Sequence, residues 1–296
     1  MSDRTIDFMR AEVRAVRRLA PHLIRVIFGG AELDRFVATG HPDQRIHIAL
    51  PAPGAEPLAP TVVDGRADYT RAGESPPLRN YTVRAWDERT HELTVDFADH
   101  GNGPAVEWAR AATPGDALYL NADIGWYRPP ADTAWQLLVA DLAGLPALAH
   151  IVEELPATTR ATVIVELPEQ ADLPVWRTAA RLDVRVLAGT GNGLAPSALA
   201  GAVRAIDEPE EPAYVWAATE AAESRAIRKH AREAWGLDRE RVDSIGYWRL
   251  DSERWLARYR AVEAEMEGVW DSALRSGLSE GEAEEIYDEA LERAGL

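Results

Sequence analysis

The sequence predicts an antiparallel β-barrel or sandwich followed by a parallel-sheet α/β domain and a helical tail. Residues 11 to about 128 contain short β-branched segments separated by Gly, Pro and Asp turns, a spacing typical of antiparallel strands. From Trp135 onward, short apolar runs alternate with helical patterns, which indicates a parallel sheet with helical crossovers. We expect the first domain to span residues 1–130, the second 131–250 and the tail 251–296.

The strands predicted for the first domain follow one another along the chain. They are AEVRAVRRL, HLIRVIF, RIHIAL, NYTVRAW, ELTVDFA and ALYLNA. Turn sequences such as PAPG and TPGD separate them. A polar, proline-bounded segment at 61–77 predicts a long loop ahead of the fourth strand.

The second domain alternates predicted strands with predicted helices. The strands are WQLLVAD, ATVIVEL, VRVLAG, AYVWAAT and RVDSIGYWR, and the helices are LPALAHIVEEL, APSALAGAVRAI and EAAESRAIRKHAREAW. The segment PPADTA at 129–134 is expected to be the hinge between the domains. In open parallel sheets ligands bind at the carboxyl ends of the strands, so we expect a binding site there.

The tail carries an apolar stripe at helical spacing. Its members are Trp255, Tyr259, Val262, Met266, Val269 and Ala273. Such a stripe is typical of a docking face, so we expect it to pack on the α/β domain or on a second subunit, and a homodimer is one expectation. Ser279 with Glu282 fits a capping box for a second helix. Residues 250–296 hold 13 acidic and 5 basic side chains, so the tail is strongly acidic.

The amino-acid composition excludes several classes of function. With 46% hydrophobic and 27% charged residues the chain of 296 residues is typical of a soluble globular protein. No run approaches the ~18 apolar residues of a membrane span, and MSDRTIDFMRAEVR lacks a signal core, so we expect no membrane insertion and a cytoplasmic location. The absence of cysteine excludes thiolate catalysis and a cysteine-held iron–sulfur cluster. The histidine spacing predicts no metal site, and the net charge of −17 argues against nucleic-acid binding.

One short stretch, Arg79-Asn80-Tyr81-Thr82, combines a cation, a ring and a hydroxyl on a predicted strand. Side chains alternate along a strand, so Arg79 and Tyr81 should share one face and Thr82 should lie on the other. On this pattern alone, ordinary surface packing is the commoner interpretation, since short motifs are weak evidence. The alternative interpretation is a ligand-binding strand.

A barrel with an RxY[ST] motif ahead of an α/β domain resembles flavin reductases of the ferredoxin-reductase type. Three stretches further resemble the siderophore-interacting protein family, over about residues 10–249. They are VDFADHGNGPAVEWARAATPGD, LLVADLAGLPALAHIVEELPATTRATVIVEL and YVWAATEAAESRAIRKHAREAWGLDRERVDSIGYWR. The family consists of FAD-containing ferric-siderophore reductases of the bacterial cytoplasm. The resemblance therefore implies a flavin-binding β-barrel, an NAD(P)H-binding α/β domain, FAD as cofactor and NADH or NADPH as electron donor.

The resemblance also implies site residues. Arg79 would pair with a flavin phosphate, Tyr81 would lie along the flavin, and the Thr82 hydroxyl would approach N5 or O4 of the ring. The full cofactor-binding set that it implies is Arg79, Tyr81, Thr82, Val83, Asp96, Ala98, His100, Gly103, Pro104, Ala105, Val106, Asp141 and Glu220. For the ferric chelate it implies Arg45, His47, Trp248 and Arg249. It implies no acid–base pair, and no catalytic residue is predicted.

The chain departs from the family pattern at two loops. Val106-Glu107 stands where the family usually has Ser-Arg, and Leu142-Ala143 stands where it usually has Glu-Thr. The first change removes a hydroxyl and reverses a charge at the expected phosphate loop, where backbone donors and Arg79 remain to hold FAD. The second removes two polar groups from the loop that should face the nicotinamide, so we expect weaker donor binding.

A further glycine-rich stretch, GTGNGLAPS at 189–197, is similar to the phosphate-binding turn of ferredoxin reductases. That turn normally follows the first strand of the domain, whereas this stretch follows the third predicted strand. Cofactor contact and a flexible turn remain the two interpretations, because an isolated glycine motif is weak evidence.

These features lead to one main functional hypothesis and two alternatives. Fe³⁺ prefers hard oxygen ligands more strongly than Fe²⁺ does, so reducing a ferric siderophore releases its iron. The main hypothesis is therefore an NAD(P)H-dependent, FAD-containing ferric-siderophore reductase. The alternatives are a flavin reductase with another acceptor, such as free flavin or a quinone, and a ferric-chelate or flavin-binding protein whose donor site is degraded.

Overall fold

The structure is a computed structural model that describes residues 7–63, 66–68, 76–278 and 280–296. Residue contacts divide the chain into two compact units, residues 1–248 and 249–296. Part of the predicted loop at 61–77 lies outside the described residues, and so does Ser279 of the predicted capping box. No helix of the described ranges is long and apolar enough to cross a membrane.

The first part of the larger unit is an antiparallel sheet. Its strands and an accompanying hairpin are β1 (Met9–Ala20), β2 (Leu23–Gly29), β3 (Arg45–Ala49), β4 (Thr61–Val63), β5 (Arg66–Asp68), β6 (Leu78–Thr82), β7 (Ala85–Asp87), β8 (Glu92–Ala98) and β9 (Ala117–Ala122). Within the described ranges, seven of them pair in the order β6-β3-β9-β1-β2-β8-β7, while β4 and β5 pair with each other. The antiparallel domain that the sequence predicts is confirmed.

The predicted strand NYTVRAW is two strands, because the chain changes partner in its middle. The Val83 N–H donates to the Gln44 carbonyl at 2.8 Å, and the Arg84 N–H donates to the Thr94 carbonyl at 2.9 Å. β6 pairs with β3 and β7 pairs with β8, so the two end strands of the sheet are joined by only Val83 and Arg84. The sheet therefore curls into a barrel-like form that is left open between β6 and β7.

One helix in this part, α1 (Pro104–Ala111), was not expected, since residues 11–128 were predicted as strands and turns. It buries Ala105, Val106, Trp108 and Ala109. The Trp108 ring stacks on Phe28 with centroids 6.0 Å apart and so closes one side of the core. Eight residues flanked by glycine turns carry little helical periodicity, which is why the pattern was missed.

The second part is a parallel sheet with helices on its faces. Its elements are β10 (Trp135–Ala140), α2 (Leu145–Glu154), β11 (Arg160–Leu167), β12 (Arg181–Ala188), α3 (Leu199–Arg204), β13 (Ala213–Glu220), α4 (Ala221–Glu233) and β14 (Val242–Trp248). Within the described ranges the five-stranded order is β12-β11-β10-β13-β14. The order reverses between β10 and β13, which is the switch point where such sheets bind ligands. The predicted parallel domain is confirmed.

A buried carboxylate, Asp43, ties the barrel to the parallel sheet. Its Oδ2 accepts from the backbone N–H groups of Trp126 and Tyr127, at 3.0 and 2.9 Å, and from Nε1 of Trp216 at 3.1 Å. Asp43 is fully buried, and Trp216 belongs to β13 of the parallel sheet. Since buried donors without acceptors are costly, this carboxylate fixes the orientation of one domain against the other.

A second buried carboxylate, Asp243, gives a testable dependence of stability on pH. The Tyr214 hydroxyl donates to Asp243 Oδ2 at 2.5 Å. Burial raises the pKa of Asp243 to about 6, although this hydrogen bond opposes the rise. The carboxyl therefore stabilises the fold fully when protonated, below its unfolded pKa of about 3.9, and loses that contribution as the pH rises through about 6.

We expect Asp243→Asn to become more stable relative to the wild type as the pH rises from 4 to 7. The amide keeps an acceptor for Tyr214 and carries no charge, so the difference should grow by about 1–3 kcal/mol. Urea unfolding at four pH values measures it, with the exposed Asp238→Asn as control. A difference that stays constant across this range would contradict the prediction.

The smaller unit is a set of helices with its own core. They are α5 (Ser252–Tyr259), α6 (Glu263–Arg275) and α7 (Glu280–Arg293). The stripe residues from Trp255 to Val269 pack together with Tyr287, Ala290 and Leu291 of α7 in one apolar cluster that buries Met266. We expected this stripe to dock on the α/β domain or on a second subunit. Within the tail, residues of α7 pack against this stripe, which a single-helix pattern could not reveal, and docking on the α/β domain or on a second subunit stays a prediction.

Candidate functional site

The motif strand β6 presents a cation at one end. Arg79 is exposed, and its Nη1 donates to the carbonyl of Leu78 at 2.8 Å. Among the described residues, no carboxylate pairs with it. Its positive charge is therefore available to an anionic ligand.

The other two motif residues lie deeper. The Tyr81 ring is partly exposed and packs against Phe97 with centroids 4.3 Å apart. Burial raises the pKa of the Tyr81 phenol. Thr82 is 3% exposed and lies on the other side of the strand, as alternation predicts.

The amino end of α1 has an open approach. Gly101 and Gly103 have φ values of 109° and 128°, and a Cβ at either position would meet nothing within 4 Å. Gly103 is the N-cap and no side chain caps the helix, so backbone N–H groups of the first turn, which begins at Pro104, point out of the helix. These donors attract an anion, while Glu107 in the same turn opposes it.

Asp96 and its neighbours are placed differently from a simple flavin contact. The Asp96 carboxylate makes two 2.7 Å hydrogen bonds with Arg25, and its side chain is only 6% exposed. Its charge is thereby neutralised within the protein. Ala98 packs against the core of the α/β domain, Val83 is buried, and His100 is exposed at the end of the strand.

Asp141, Glu220 and Trp248 meet at the switch point of the parallel sheet. Asp141 Oδ2 accepts from Nε1 of Trp248 at 2.6 Å, and its Oδ1 accepts from the N–H groups of Ala143 and Gly144, at 2.9 and 3.2 Å. Burial raises the pKa of Asp141 to about 6, and these hydrogen bonds oppose the rise. The Glu220 carboxylate caps α4 by accepting from Ala222. Three predicted residues from separate strands are thus brought together.

The loop after β10, residues 141–144, is mostly buried. Leu142 is 1% exposed and belongs to the core of the α/β domain, whereas Ala143 is partly exposed. The Leu142 side chain therefore points into the core, and the expectation that this loop faces the nicotinamide stays a prediction. Gly144 is required here, since a Cβ would fall 2.0 Å from the Ala218 carbonyl oxygen.

The residues predicted for the chelate are only partly grouped. Arg45 Nη2 and His47 Nε2 both reach Asp123 Oδ2, at 2.7 and 3.2 Å. The Arg45 guanidinium also lies 3.5 Å above the Trp126 ring. The hydrogen bond from His47 is the main reason that the pKa of Asp123 lies below its usual range. Arg249 lies in the smaller unit, where its guanidinium is 4.0 Å above the Trp255 ring.

Tyr247 is a site residue that sequence reasoning missed. Its hydroxyl is buried without a hydrogen-bond partner among the described residues, and burial raises its pKa. The groups that act on this phenol include Thr82 and Arg45 of the barrel and Asp141 of the sheet edge. Its position next to Trp248 in the stretch GYWR was the available signal. Tyr247 therefore lies near both the barrel motif and the switch point.

No group of three or more His, Asp or Glu side chains within the described ranges is arranged to hold a metal ion. The site therefore offers a cation on β6, helix N–H groups at α1, and a set of buried hydrogen bonds at the edge of the parallel sheet. Such a site suits an anionic, aromatic ligand held across the two domains.

Known proteins resemble this chain along most of its length. Residues 12–124 match the model of the siderophore-interacting FAD-binding domain, and residues 133–251 match that of siderophore-interacting proteins. The NADPH-dependent ferric-chelate reductase of Escherichia coli is 30% identical over 82% of this chain and 93% of that protein. Ferric vibriobactin reductase ViuB of Vibrio cholerae is 28% identical over 83% of this chain and 89% of that protein. A solved siderophore utilization protein from T. fusca superposes with a TM-score of 0.72 at 30% identity, covering 83% of this chain and 94% of that one.

Proposed function

The chain belongs to the siderophore-interacting protein family, and from that premise we propose that it is a cytoplasmic, NAD(P)H-dependent and FAD-containing ferric-siderophore reductase. The observation that carries the proposal is the match of residues 12–124 to the siderophore-interacting FAD-binding domain and of residues 133–251 to siderophore-interacting proteins. The Tyr247 phenol lies near Thr82 of the motif strand and near Asp141 of the switch point, which supports a site that spans the barrel and the parallel sheet. A flavin held by the barrel and a nucleotide held at the sheet edge would then be adjacent, as electron transfer between them requires.

The residues of the barrel fit FAD. Arg79 would pair with a phosphate, and the N–H groups at the start of α1 would bind the pyrophosphate beside Gly103. The partly exposed Tyr81 ring would lie along the flavin, with the Thr82 hydroxyl on the far side of the strand. When bound, FAD takes two electrons from a nicotinamide nucleotide and can pass them on singly.

Arg45 and His47 would meet the chelate. Both share Asp123, so the cluster is less positive than two separate cations. An anionic ferric chelate would be attracted to it only weakly at a distance, and contact with the guanidinium edge would supply the specificity. Reduction to Fe²⁺ then weakens the oxygen ligands and releases the iron.

The related reductases support an iron-chelate substrate without identifying it. The Escherichia coli protein is named for ferric chelates in general, and the Vibrio cholerae protein for ferric vibriobactin. The net charge of −17 would repel an acidic protein donor at low salt, which favours a nicotinamide nucleotide as the donor. A flavin reductase with another acceptor and a chelate-binding protein remain the outcomes against which the proposal is tested.

Anaerobic reduction of the purified, FAD-loaded protein tests the function. We expect NADH or NADPH to bleach the flavin, with a KM above family values because Ala143 lacks a polar group. Addition of ferric chelates to the reduced protein should restore the oxidised spectrum and yield Fe²⁺, detected with ferrozine. Reoxidation by quinone or free flavin alone would favour the first alternative. If neither nucleotide bleaches the flavin but the protein binds a ferric chelate, the result would favour the chelate-binding alternative.

A further inference from the structure

The glycine-rich turn after β12 is built around a buried asparagine. Asn192 is 7% exposed and has a φ of 56°, a left-handed conformation that Asn tolerates better than most residues. Its Nδ2 donates to the carbonyl oxygens of Glu166 and Thr190, both at 3.2 Å. Its Oδ1 accepts from the Leu142 N–H at 2.9 Å. A single side chain therefore ties the end of β11 to the loop after β10.

This turn is poorly suited to hold a phosphate. The N–H groups of Gly191, Leu194 and Ala195 donate to backbone carbonyls within the turn itself. The Glu166 carboxylate, which is 1% exposed, accepts from the Ala198 N–H at 2.7 Å. Its Oε2 lies only 1.7 Å from the place of a Cβ on residue 191, so an anion would meet a carboxylate there. The turn has the sequence of a phosphate loop but the contacts of a structural one.

In the loop that Asn192 contacts, side-chain oxygens accept the backbone N–H groups of residues 142–144. The N–H groups of Ala143 and Gly144 are held by Asp141, and the N–H group of Leu142 is held by Asn192. These contacts leave the partly exposed Ala143 as the residue of this loop that faces outward. The position of its backbone at the switch point is thus set jointly by Asp141 and Asn192.

We propose that Asn192 is a positioning residue for the electron donor, acting through the loop at 141–144. The turn at 189–193 is a strut that holds this loop in the conformation to which the nicotinamide nucleotide binds. The inference rests on the proposed function, since it takes the donor to bind at the switch point. It also assigns a role to the glycine-rich stretch other than phosphate binding.

Asn192→Gly tests the strut. Glycine accepts the left-handed backbone, so the variant loses only the side-chain hydrogen bonds. On FAD-loaded protein we expect the KM for NADH or NADPH to rise about fivefold to tenfold, the effect of one lost hydrogen bond, with kcat within about twofold. Hydrogen exchange at the Leu142 amide should become faster. FAD affinity and chelate reduction after reduction by dithionite should not change.

Two further variants complete the test. Leu194→Ser alters an exposed residue of the same turn, 68% accessible, and should leave KM and amide exchange unchanged. Asn192→Asp keeps an acceptor for the Leu142 amide but replaces the donor to the Glu166 and Thr190 carbonyls with a carboxylate oxygen, so it is expected to raise KM and speed amide exchange at least as much as the glycine variant. Faster amide exchange with an unchanged KM would overturn the positioning role, and an unchanged exchange rate would overturn the strut. If neither nucleotide reduces the wild-type flavin, the proposed function fails and this role fails with it, while amide exchange still reports on the strut.

Discussion

Replacement of Arg79 with alanine is expected to weaken FAD binding by about tenfold to hundredfold. The guanidinium is exposed on β6 and is paired with no described carboxylate, so it reaches a phosphate without first breaking an ion pair. A charge-assisted hydrogen bond of this kind contributes about 1.5–3 kcal/mol, which corresponds to that range of affinity. Titration of the apoprotein with FAD, followed by flavin fluorescence, measures the change.

The control for Arg79 is Arg89→Ala. Arg89 is an exposed arginine on the turn between β7 and β8, away from the motif strand. It should leave the FAD affinity unchanged, whereas loss of affinity in both variants would indicate a general effect of net charge. Arg79→Lys separates charge from geometry, because lysine keeps the charge but not the planar pair of donors. A folded Arg79→Ala protein with wild-type affinity would show that the phosphate lies elsewhere.

The sequence predicted the elements of the parallel domain well for a physical reason. Strands such as β10 and β13 are buried on both faces, so they stand out as continuous apolar runs between helical patterns. The barrel was predicted in outline only. The partner change at Val83 and Arg84 leaves no mark in a run that is β-rich throughout. Helix α1 is too short to show a period.

The site could be predicted only as far as single motifs reach. The arginine of the motif strand and the carboxylate at the end of β10 stand in stretches with a recognisable order. Tyr247 and Asn192 act through contacts between distant segments, such as the Asn192 bond to Leu142 across 50 positions. The pairing of Asp96 with Arg25 is likewise a contact between distant segments, and the flavin contact expected of Asp96 stays a prediction. Contacts between segments that are distant in the chain cannot be predicted from the pattern of a single sequence, so these contacts were missed.

The loop after β10 separates two changes that look equivalent in the sequence. The family pattern places Glu-Thr where this chain has Leu142-Ala143, so restoring both residues would seem to restore the donor site. Leu142, however, is 1% exposed among apolar side chains, and Ala143 is partly exposed. A glutamate at 142 would lose the burial of a leucine and place an unpaired carboxylate in the core.

We therefore expect Leu142→Glu to destabilise the fold by at least about 3 kcal/mol, seen as a lower midpoint of urea unfolding. Ala143→Thr should stay within about 1 kcal/mol of the wild type and lower the KM for NADH or NADPH by about threefold to tenfold, because its hydroxyl adds one hydrogen bond at the switch point. Leu142→Met, which keeps the size and apolar character of the side chain, is the control for the first change. A stable Leu142→Glu protein with an improved KM would mean that residue 142 faces the nucleotide after all. An unchanged KM in a stable Ala143→Thr protein would place the nicotinamide away from this loop, and with it the entry point of the electrons.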